Sequence, residues 1–307
     1  TKDMLMNVSY PDILGTAAPK SNAADLRTKG WELSATWHDK VGTNWNYGLT
    51  LALSDNTSKI TRYLNPTGAI DQYYVGKDIG EIWAYETVGI FQTEADVAAS
   101  ANQDQLGAAW KAGDMQYADL NKDDKITPGV RTLDDHGDLR IVGNTTPRYS
   151  FGINGDISYK GIGLNVFFQG VMKRDYLPDN GNWNAFYPYN DGHLEKYAIS
   201  ESWTETNRDA YFAAPTFGYN TKKNIHPQSR YVQNASYIRL KNLSVSYQFP
   251  VKLIQKVRLN GAQIYFAGMN LWEATKMHKP LDPESVFTVT QEYYLQRIFT
   301  LGVKLNF

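Results

Sequence analysis

The residues best suited to bind a ligand through charge lie in a short acidic loop. Asp119, Asn121 and Asp123 place side-chain oxygens at positions 1, 3 and 5 of a calcium-loop pattern, and Lys125 places its backbone carbonyl at position 7. Calcium is a hard cation that takes about six to eight oxygen ligands. The spacing therefore predicts a divalent-cation site, with calcium favoured over magnesium and a structural role for the ion.

Two departures weaken the calcium pattern. Asp124 stands at position 6, where the pattern has glycine, and Val130 stands at position 12, where it has an acidic residue. Asp134 or Asp135 would supply the missing carboxylate if residues 128–133 loop outward. The alternative is a solvated acidic turn that binds no ion, and the sequence leaves both interpretations open.

A second candidate surface is the aromatic segment at residues 175–234, which shows little periodicity. Aromatic faces stack on sugar rings or apolar peptide side chains, while neighbouring amides hydrogen-bond hydroxyl groups or backbone. The residues predicted to contact a substrate or partner are Trp183, Phe186, Tyr187, Tyr189, Trp203 and Tyr211. The alternative, favoured for any single residue, is that these rings pack a small core within the segment or sit at a membrane interface.

No pattern of catalytic residues is present. The chain has no cysteine, which excludes thiol chemistry and cysteine zinc sites. Its five histidines show no metal-ligand spacing, and neither a Walker A sequence nor a G-x-S-x-G sequence occurs. The Asp282–Pro283–Glu284 sequence reads as a proline-containing turn. A formal charge of −1 gives no basis for nucleic-acid binding, so we predict neither an enzyme nor a nucleic-acid partner.

The elements that position these residues are mostly strands, because apolar and polar residues alternate with a period of two. Alternation runs through residues 31–37 and 45–53, and through 149–159 and 162–168. In the final strand Phe299, Leu301, Val303 and Leu305 alternate with Thr300, Gly302, Lys304 and Asn306. Its length suits a tilted strand of roughly 9–11 residues that crosses a bilayer. About nine strands are predicted, with a polar loop up to residue 29 and a helix over 94–110.

Several short sequences occur in a collinear order that resembles a known family. They are 28–33 (TKGWEL), 88–92 (VGIFQ), 113–127 (GDMQYADLNKDDKIT), 141–152 (IVGNTTPRYSFG), 167–170 (FFQG), 237–247 (YIRLKNLSVSY), 268–272 (GMNLW), 282–284 (DPE) and the closing strand. Together they resemble the carboxy-terminal part of the SusC/RagA class of TonB-dependent outer-membrane transporters. The resemblance covers nearly the whole chain.

The resemblance implies an all-β protein, the carboxy-terminal portion of a 22-stranded antiparallel transmembrane barrel in the bacterial outer membrane. Residues 1–307 would form this partial barrel, with long extracellular loops at about 92–146 and 175–234. The family's plug domain and TonB box are absent from the chain. Implied partners are a SusD-like surface lipoprotein, the TonB complex acting through the plug, outer-membrane lipid, and an imported oligosaccharide or peptide. We expect the polar parity of the strands to face the lumen and the apolar parity to face lipid.

Two other functions stay open at this point. A secreted or surface β-sandwich that binds carbohydrate fits the composition about as well, since tyrosine, tryptophan and phenylalanine make up 13% of the chain. A glycan-degrading enzyme on a β scaffold fits less well, because the sequence shows no pair of carboxylates at the separation that glycoside hydrolysis requires.

Overall fold

The computed structural model describes residues 1–7, 20–178, 186–187, 196–215, 223–278, 281–287 and 295–307. The strands are β1 (Met4–Asn7), β2 (Lys20–Val41), β3 (Trp45–Tyr63), β4 (Glu81–Tyr85), β5 (Thr87–Ile90), β6 (Met115–Tyr117), β7 (Leu139–Asn144), β8 (Arg148–Tyr159), β9 (Ile162–Lys173), β10 (Asp175–Tyr176), β11 (Gln233–Asn234), β12 (Tyr237–Gln248), β13 (Gly261–Thr275) and β14 (Ile298–Asn306). Short helices are α1 (Glu94–Ala99), α2 (Tyr197–Glu201) and α3 (Val251–Ile254), and 3₁₀ turns span Asp104–Leu106, Ser229–Tyr231 and Gln255–Val257.

Eight strands form one sheet in the order β1-β2-β3-β8-β9-β12-β13-β14. Short connections at 42–44, 160–161 and 249–260 join neighbouring strands at one end of the sheet. The long connections, 64–147, 174–236 and 276–297, leave from the opposite end. Short turns at one end and long loops at the other are typical of outer-membrane barrels. The three smaller sheets, β4-β7, β5-β6 and β10-β11, are two-stranded.

The strand register separates apolar from polar side chains, as the alternation predicts. On one face Leu51 lies opposite Ile153, Val245 opposite Leu164, and Phe266 opposite Leu301. On the other face the cross-strand pairs include Thr50–Asn154, Asp156–Asn165, Ser244–Asn165 and Gln263–Lys304.

No second sheet covers the apolar face within the described residues. Leu301 is 74% exposed and Val303 is 63% exposed. A β-sandwich would bury such a face against a second sheet about 10 Å away. The exposed apolar face therefore argues against the sandwich alternative. Trp45 and Tyr159 stack at 4.2 Å between ring centroids, next to the short-turn end.

A β-bulge at Lys241 changes which residues of β12 face each side. Leu243 and Val245 lie opposite Val166 and Leu164, whereas Leu240 lies opposite Phe168. One residue of β12 is thus inserted between Leu240 and Asn242 relative to β9. Because side chains alternate strictly along a strand, the bulge keeps Leu240 on the apolar face and turns Arg239 to the polar face.

Several sequence expectations differ from the structure. The predicted polar loop up to residue 29 ends earlier, because Lys20 already begins β2. The short strand predicted over Asp3–Tyr10 corresponds to β1, and residues 8–19 lie outside the described part of the chain. The two predicted long loops contain strands and helices of their own.

The predicted helix over 94–110 is wrong beyond its first turns. Helix α1 covers six residues, begins with a capping box between Thr93 and Asp96, and buries none of its side chains. A helix without a packed face has little to stabilise it beyond its cap. Asn102 instead pairs with Lys125 as an isolated bridge, which leaves only a 3₁₀ turn at Asp104–Leu106.

The chain divides into two compact units. The first comprises Thr1–Lys29, Thr57–Thr146 and Asp175–Gln233, and the second comprises Gly30–Asn56, Pro147–Arg174 and Asn234–Phe307. The first has a core of buried aromatic and aliphatic side chains, among them Phe91, Met115, Ile126, Phe212 and Tyr231. The second is the two-faced part of the sheet with its return segment, defined here as residues 281–287.

None of the helices in the described residues is both long enough and apolar enough to span a membrane.

The exposed apolar face gives a direct test of orientation. If it contacts lipid, Leu301→Arg or Val303→Arg should destabilise the protein by about 2–4 kcal/mol at mid-bilayer depth. Lys304→Gln, on the polar parity of the same strand, is the matched control and should change stability little. The measurement is the free energy of folding into lipid vesicles. Equal losses at both parities would contradict the assignment of the faces.

Candidate functional site and relatives

A groove of about 500 Å³ runs along the polar face of the second unit. Ser34, Ala52 and Gly152 lie side by side in β2, β3 and β8, and two small side chains and a glycine leave space on this face. Glu32 and Gln169 add a carboxylate and an amide to its lining. Such groups hydrogen-bond hydroxyl or peptide groups, and aromatic and aliphatic side chains also line the groove. The groove therefore suits a ligand that has both polar groups and an apolar surface.

On the same face, the side chains of His38 and Asp156 both lie close to Gly48. A β-carbon added at Gly48 would lie 2.4 Å from His38 Nδ1 and 2.4 Å from Asp156 Oδ1. A side chain at this position would therefore displace both groups, and glycine leaves room for them. Thr36 and Thr50 form the next cross-strand pair, with 3.2 Å between their hydroxyl oxygens. Sequence reasoning did not single out this histidine and aspartate.

A charge cluster on the polar face surrounds Arg239, whose side chain is 2% exposed. Its guanidinium contacts Glu273 on β13, lies 2.6 Å from Asp282 Oδ2, and lies 3.1 Å from Glu284 Oε2. Lys241 Nζ also donates to Glu284 Oε2 at 2.7 Å. The Asp282–Pro283–Glu284 turn predicted from sequence is therefore the partner of a buried arginine.

In the acidic loop, the predicted cation ligands accept hydrogen bonds from backbone N–H groups. Asp119 Oδ1 accepts from the backbone N of Lys122 at 2.6 Å, and its Oδ2 accepts from that of Asp124 at 2.8 Å. Asp123 Oδ1 accepts from the backbone N of Lys125 at 2.9 Å. Lys122 and Asp124 adopt positive φ angles of 64° and 61°, and this left-handed backbone curls the loop around Asp119.

Neither Asp134 nor Asp135 joins these ligands. Asp135 Oδ1 accepts from the backbone N of Gly137 instead, and no group of three acidic or histidine side chains that could hold a metal occurs within the described residues. The carboxylate that reaches the loop is Asp138, which is fully buried. Its two oxygens accept from the backbone N of Leu120 at 2.7 Å and of Thr127 at 2.8 Å.

The aromatic residues predicted to contact a substrate lie mainly inside the first unit. Phe186 is fully buried, and Tyr187 and Trp203 are buried. Phe186, Tyr211, Phe212 and Tyr231 form ring pairs with centroids 4.8–6.4 Å apart. These distances are typical of packed aromatic cores. The rings therefore pack the segment's own core, which was the alternative stated above, while Trp183 and Tyr189 lie outside the described residues.

Burial also suppresses ionisation in this core. Desolvation raises the pKa of Tyr211 to about 12 and raises the pKa of Tyr117 well above its usual value. Both phenols are therefore neutral at physiological pH and serve as hydrogen-bond donors. Tyr117 donates to the backbone carbonyl of Lys223 at 2.8 Å, and Tyr211 donates to that of Arg230 at 3.0 Å.

A cavity of about 450 Å³ in the first unit has an aromatic wall that the sequence analysis did not identify. Phe91 and Trp110 line it together with Val97 and Asn102. Trp110 Nε1 donates to the backbone carbonyl of Gly107 at 3.1 Å, which fixes the plane of the indole. An aromatic wall with amide groups on its rim suits a sugar ring or an apolar side chain. The spacing of these residues in the sequence carries no recognisable signal.

The packing of the aromatic core can be measured. Phe212→Ala removes a fully buried ring and should cost about 3–5 kcal/mol. Ile199→Ala, at a side chain that is 80% exposed, is the control and should stay within about 0.5 kcal/mol. The measurement is the protease resistance of this unit in the detergent-solubilised protein during a denaturant titration. Similar effects of the two changes would contradict a buried role for the aromatic residues.

Two curated proteins of Formosa agariphila match this chain along its whole length. TonB-dependent receptor P26 is 26% identical over 334 aligned residues, which cover 100% of this chain and 32% of the relative. TonB-dependent receptor P3 is 25% identical over 341 residues, with 100% and 31% covered. The chain thus spans about a third of the length of the curated relatives it matches. No protein-family model matches the chain.

Solved structures show the same fold. The RagAB peptide importer in its open-open state aligns with 100% of this chain and 31% of its own chain, at a TM-score of 0.69 and 23% identity. The RagAB peptide transporter aligns with 99% of this chain and 32% of its own, at a TM-score of 0.71 and 19% identity. The chain is therefore similar along its whole length to TonB-dependent receptors, and it has the β-sheet fold of the matching part of the RagAB structures.

Proposed function

We propose that the receptor containing this chain imports a peptide or an oligosaccharide across the outer membrane. The observation that carries the proposal is the two-faced sheet. Its apolar face remains exposed at Leu301 and Val303, and its polar face holds a groove of about 500 Å³ whose lining includes polar side chains and glycines beside apolar ones. A lipid-facing exterior and a polar interior are the arrangement of a barrel that passes polar solutes. We also propose that the complete barrel of this receptor has 22 strands.

A SusD-like lipoprotein and the TonB complex complete this proposal. Support comes from the collinear motifs, from the relatives named TonB-dependent receptors and from the solved structures named RagAB peptide importer. The lipoprotein would meet the receptor at its long connections, and TonB would act through a plug supplied by other residues. The described residues supply strands and loops for transport, and we propose that the receptor is not an enzyme.

The import proposal is tested with the intact receptor in its native membrane. We expect loss of the receptor to abolish uptake of labelled peptides or of labelled oligosaccharides, and the two classes are assayed in parallel. Ala52→Phe should fill the groove on the polar face and slow uptake without lowering the amount of receptor. Leu51→Met, one residue away on the apolar face, is the matched control. Undiminished uptake of both classes after deletion would overturn the proposal.

We also propose that Asp119, Asn121 and Asp123, with the Lys125 carbonyl, bind a structural calcium ion. The support is their spacing and the curled loop, in which the three side chains converge on one turn of backbone. The buried Asp138 bonds to both ends of the loop, so an ion there would add stability to the first unit rather than take part in transport.

Calcium should therefore raise the unfolding temperature of the detergent-solubilised receptor. A ligand at about a hundred times its dissociation constant stabilises the folded state by about 2.7 kcal/mol. Asp119→Asn should remove this increment, whereas Asp134→Asn, outside the loop, should retain it. The measurement is thermal unfolding with and without added calcium after chelation. An unfolding temperature that does not respond to calcium would show that the loop is a solvated turn.

A further inference from the structure

Arg239 connects two stretches of sequence that are more than forty residues apart. It lies on β12, within residues 237–247, and it binds the Asp282–Pro283–Glu284 turn of the return segment. The bulge at Lys241 directs Arg239 toward the polar face, directly opposite Glu273 of β13. The β-bulge at Lys241 therefore places Arg239 where it can bind these carboxylates.

The return segment is folded tightly onto this arginine. Asp282 Oδ2 lies 2.6 Å from Arg239 Nη2, and Asp282 Oδ1 accepts from the backbone N of Glu284 at 2.9 Å and of Ser285 at 3.2 Å. Asp282 thus closes its own turn with one oxygen and binds the sheet with the other. Leu281 and Val286 are each 6% exposed, so apolar side chains on both sides of the turn are also buried.

A second arginine holds the far end of the segment. The guanidinium carbon of Arg174, which follows β9, lies 3.2 Å from the ring centroid of Phe287. A guanidinium stacked on an aromatic face is attracted by the ring's electron density. The segment is therefore fixed at Asp282 by an arginine of β12 and at Phe287 by the arginine that follows β9.

We propose that residues 281–287 form a strap over the polar face, and that Arg239 is the positioning residue that holds it there. A guanidinium whose side chain is 2% exposed among three carboxylates is stable only while those carboxylates stay in place, because an unpaired buried charge is strongly disfavoured. The strap and Arg239 therefore stabilise each other. The docked strap occupies space beside the polar face. It therefore limits the size of an imported solute, a role that rests on the proposed function.

Accessibility of the strap is measured by cysteine labelling in the full-length receptor. The chain has no cysteine of its own, and Ser285 is 9% exposed. With other cysteines of the receptor replaced, Ser285→Cys should react slowly with a membrane-impermeant maleimide. Glu205→Cys, at an exposed position of the first unit, is the control and should react fast in every background.

Removing the positive charge should release the strap. In the Arg239→Gln background, we expect labelling of Ser285→Cys to accelerate by roughly ten- to a hundredfold, as for the loss of charged hydrogen bonds. Arg239→Lys should restore part of the protection, because it keeps the charge but loses the planar fork of donors. Asp282→Asn, which keeps the arginine and the shape of the turn, provides a second variant if Arg239→Gln does not reach the membrane.

The labelling results decide the proposal independently of transport. Fast labelling of Ser285→Cys in the parent, or unchanged labelling in both Arg239→Gln and Asp282→Asn, would overturn the strap. If labelling accelerates in these variants, uptake of labelled solutes of increasing length should shift toward the longer ones. Failure of uptake in the parent itself would overturn the import proposal and leave the labelling result standing.

Discussion

The alternation of side chains along hydrogen-bonded antiparallel strands is the constraint on which the second unit depends. Every strand must place one parity on the apolar face and the other on the polar face, and a shift of one residue would exchange them. The apolar positions of β12 are even-numbered before Lys241 and odd-numbered after it. On either side of this bulge, β12 pairs with both β9 and β13. Without the bulge, Arg239 would lie on the same face as Val245, with no carboxylate partner opposite.

Several of the short sequences that carry the family resemblance contain a partner of an ion pair with a buried carboxylate. Arg148 forms two hydrogen bonds with Asp55, at 2.5 and 2.6 Å. Asp114 accepts from Lys223 Nζ at 2.6 Å in the core of the first unit, where both side chains are buried. Breaking a buried pair leaves an uncompensated charge, so each partner constrains the other. Sequence stretches far apart along the chain are in this way tied together by individual contacts.

The first unit is ordered by polar side chains that satisfy backbone groups at a distance. Asp138 binds both ends of the acidic loop, Gln103 bonds to the backbone of Met115 and Tyr117, and Asn224 binds Asp114. Loops of this length carry many backbone N–H and C=O groups that burial would leave unpaired. The side-chain contacts supply those partners, and the aromatic core of Phe186, Phe212 and Tyr231 supplies the apolar burial.

The sequence alone predicted the alternating strands and the separation of apolar from polar side chains, because a period of two is a local property of the chain. It also contained a signal for the bulge, since the apolar parity changes between Leu240 and Leu243, but that signal has meaning only once neighbouring strands are paired. The tertiary structure decided which aromatic residues are buried, since their burial depends on long-range packing. It likewise decided that Asp138, rather than Asp134 or Asp135, reaches the acidic loop, and that Arg239 binds Asp282. Contacts between residues far apart in sequence arise from the fold's topology, and no local pattern encodes them.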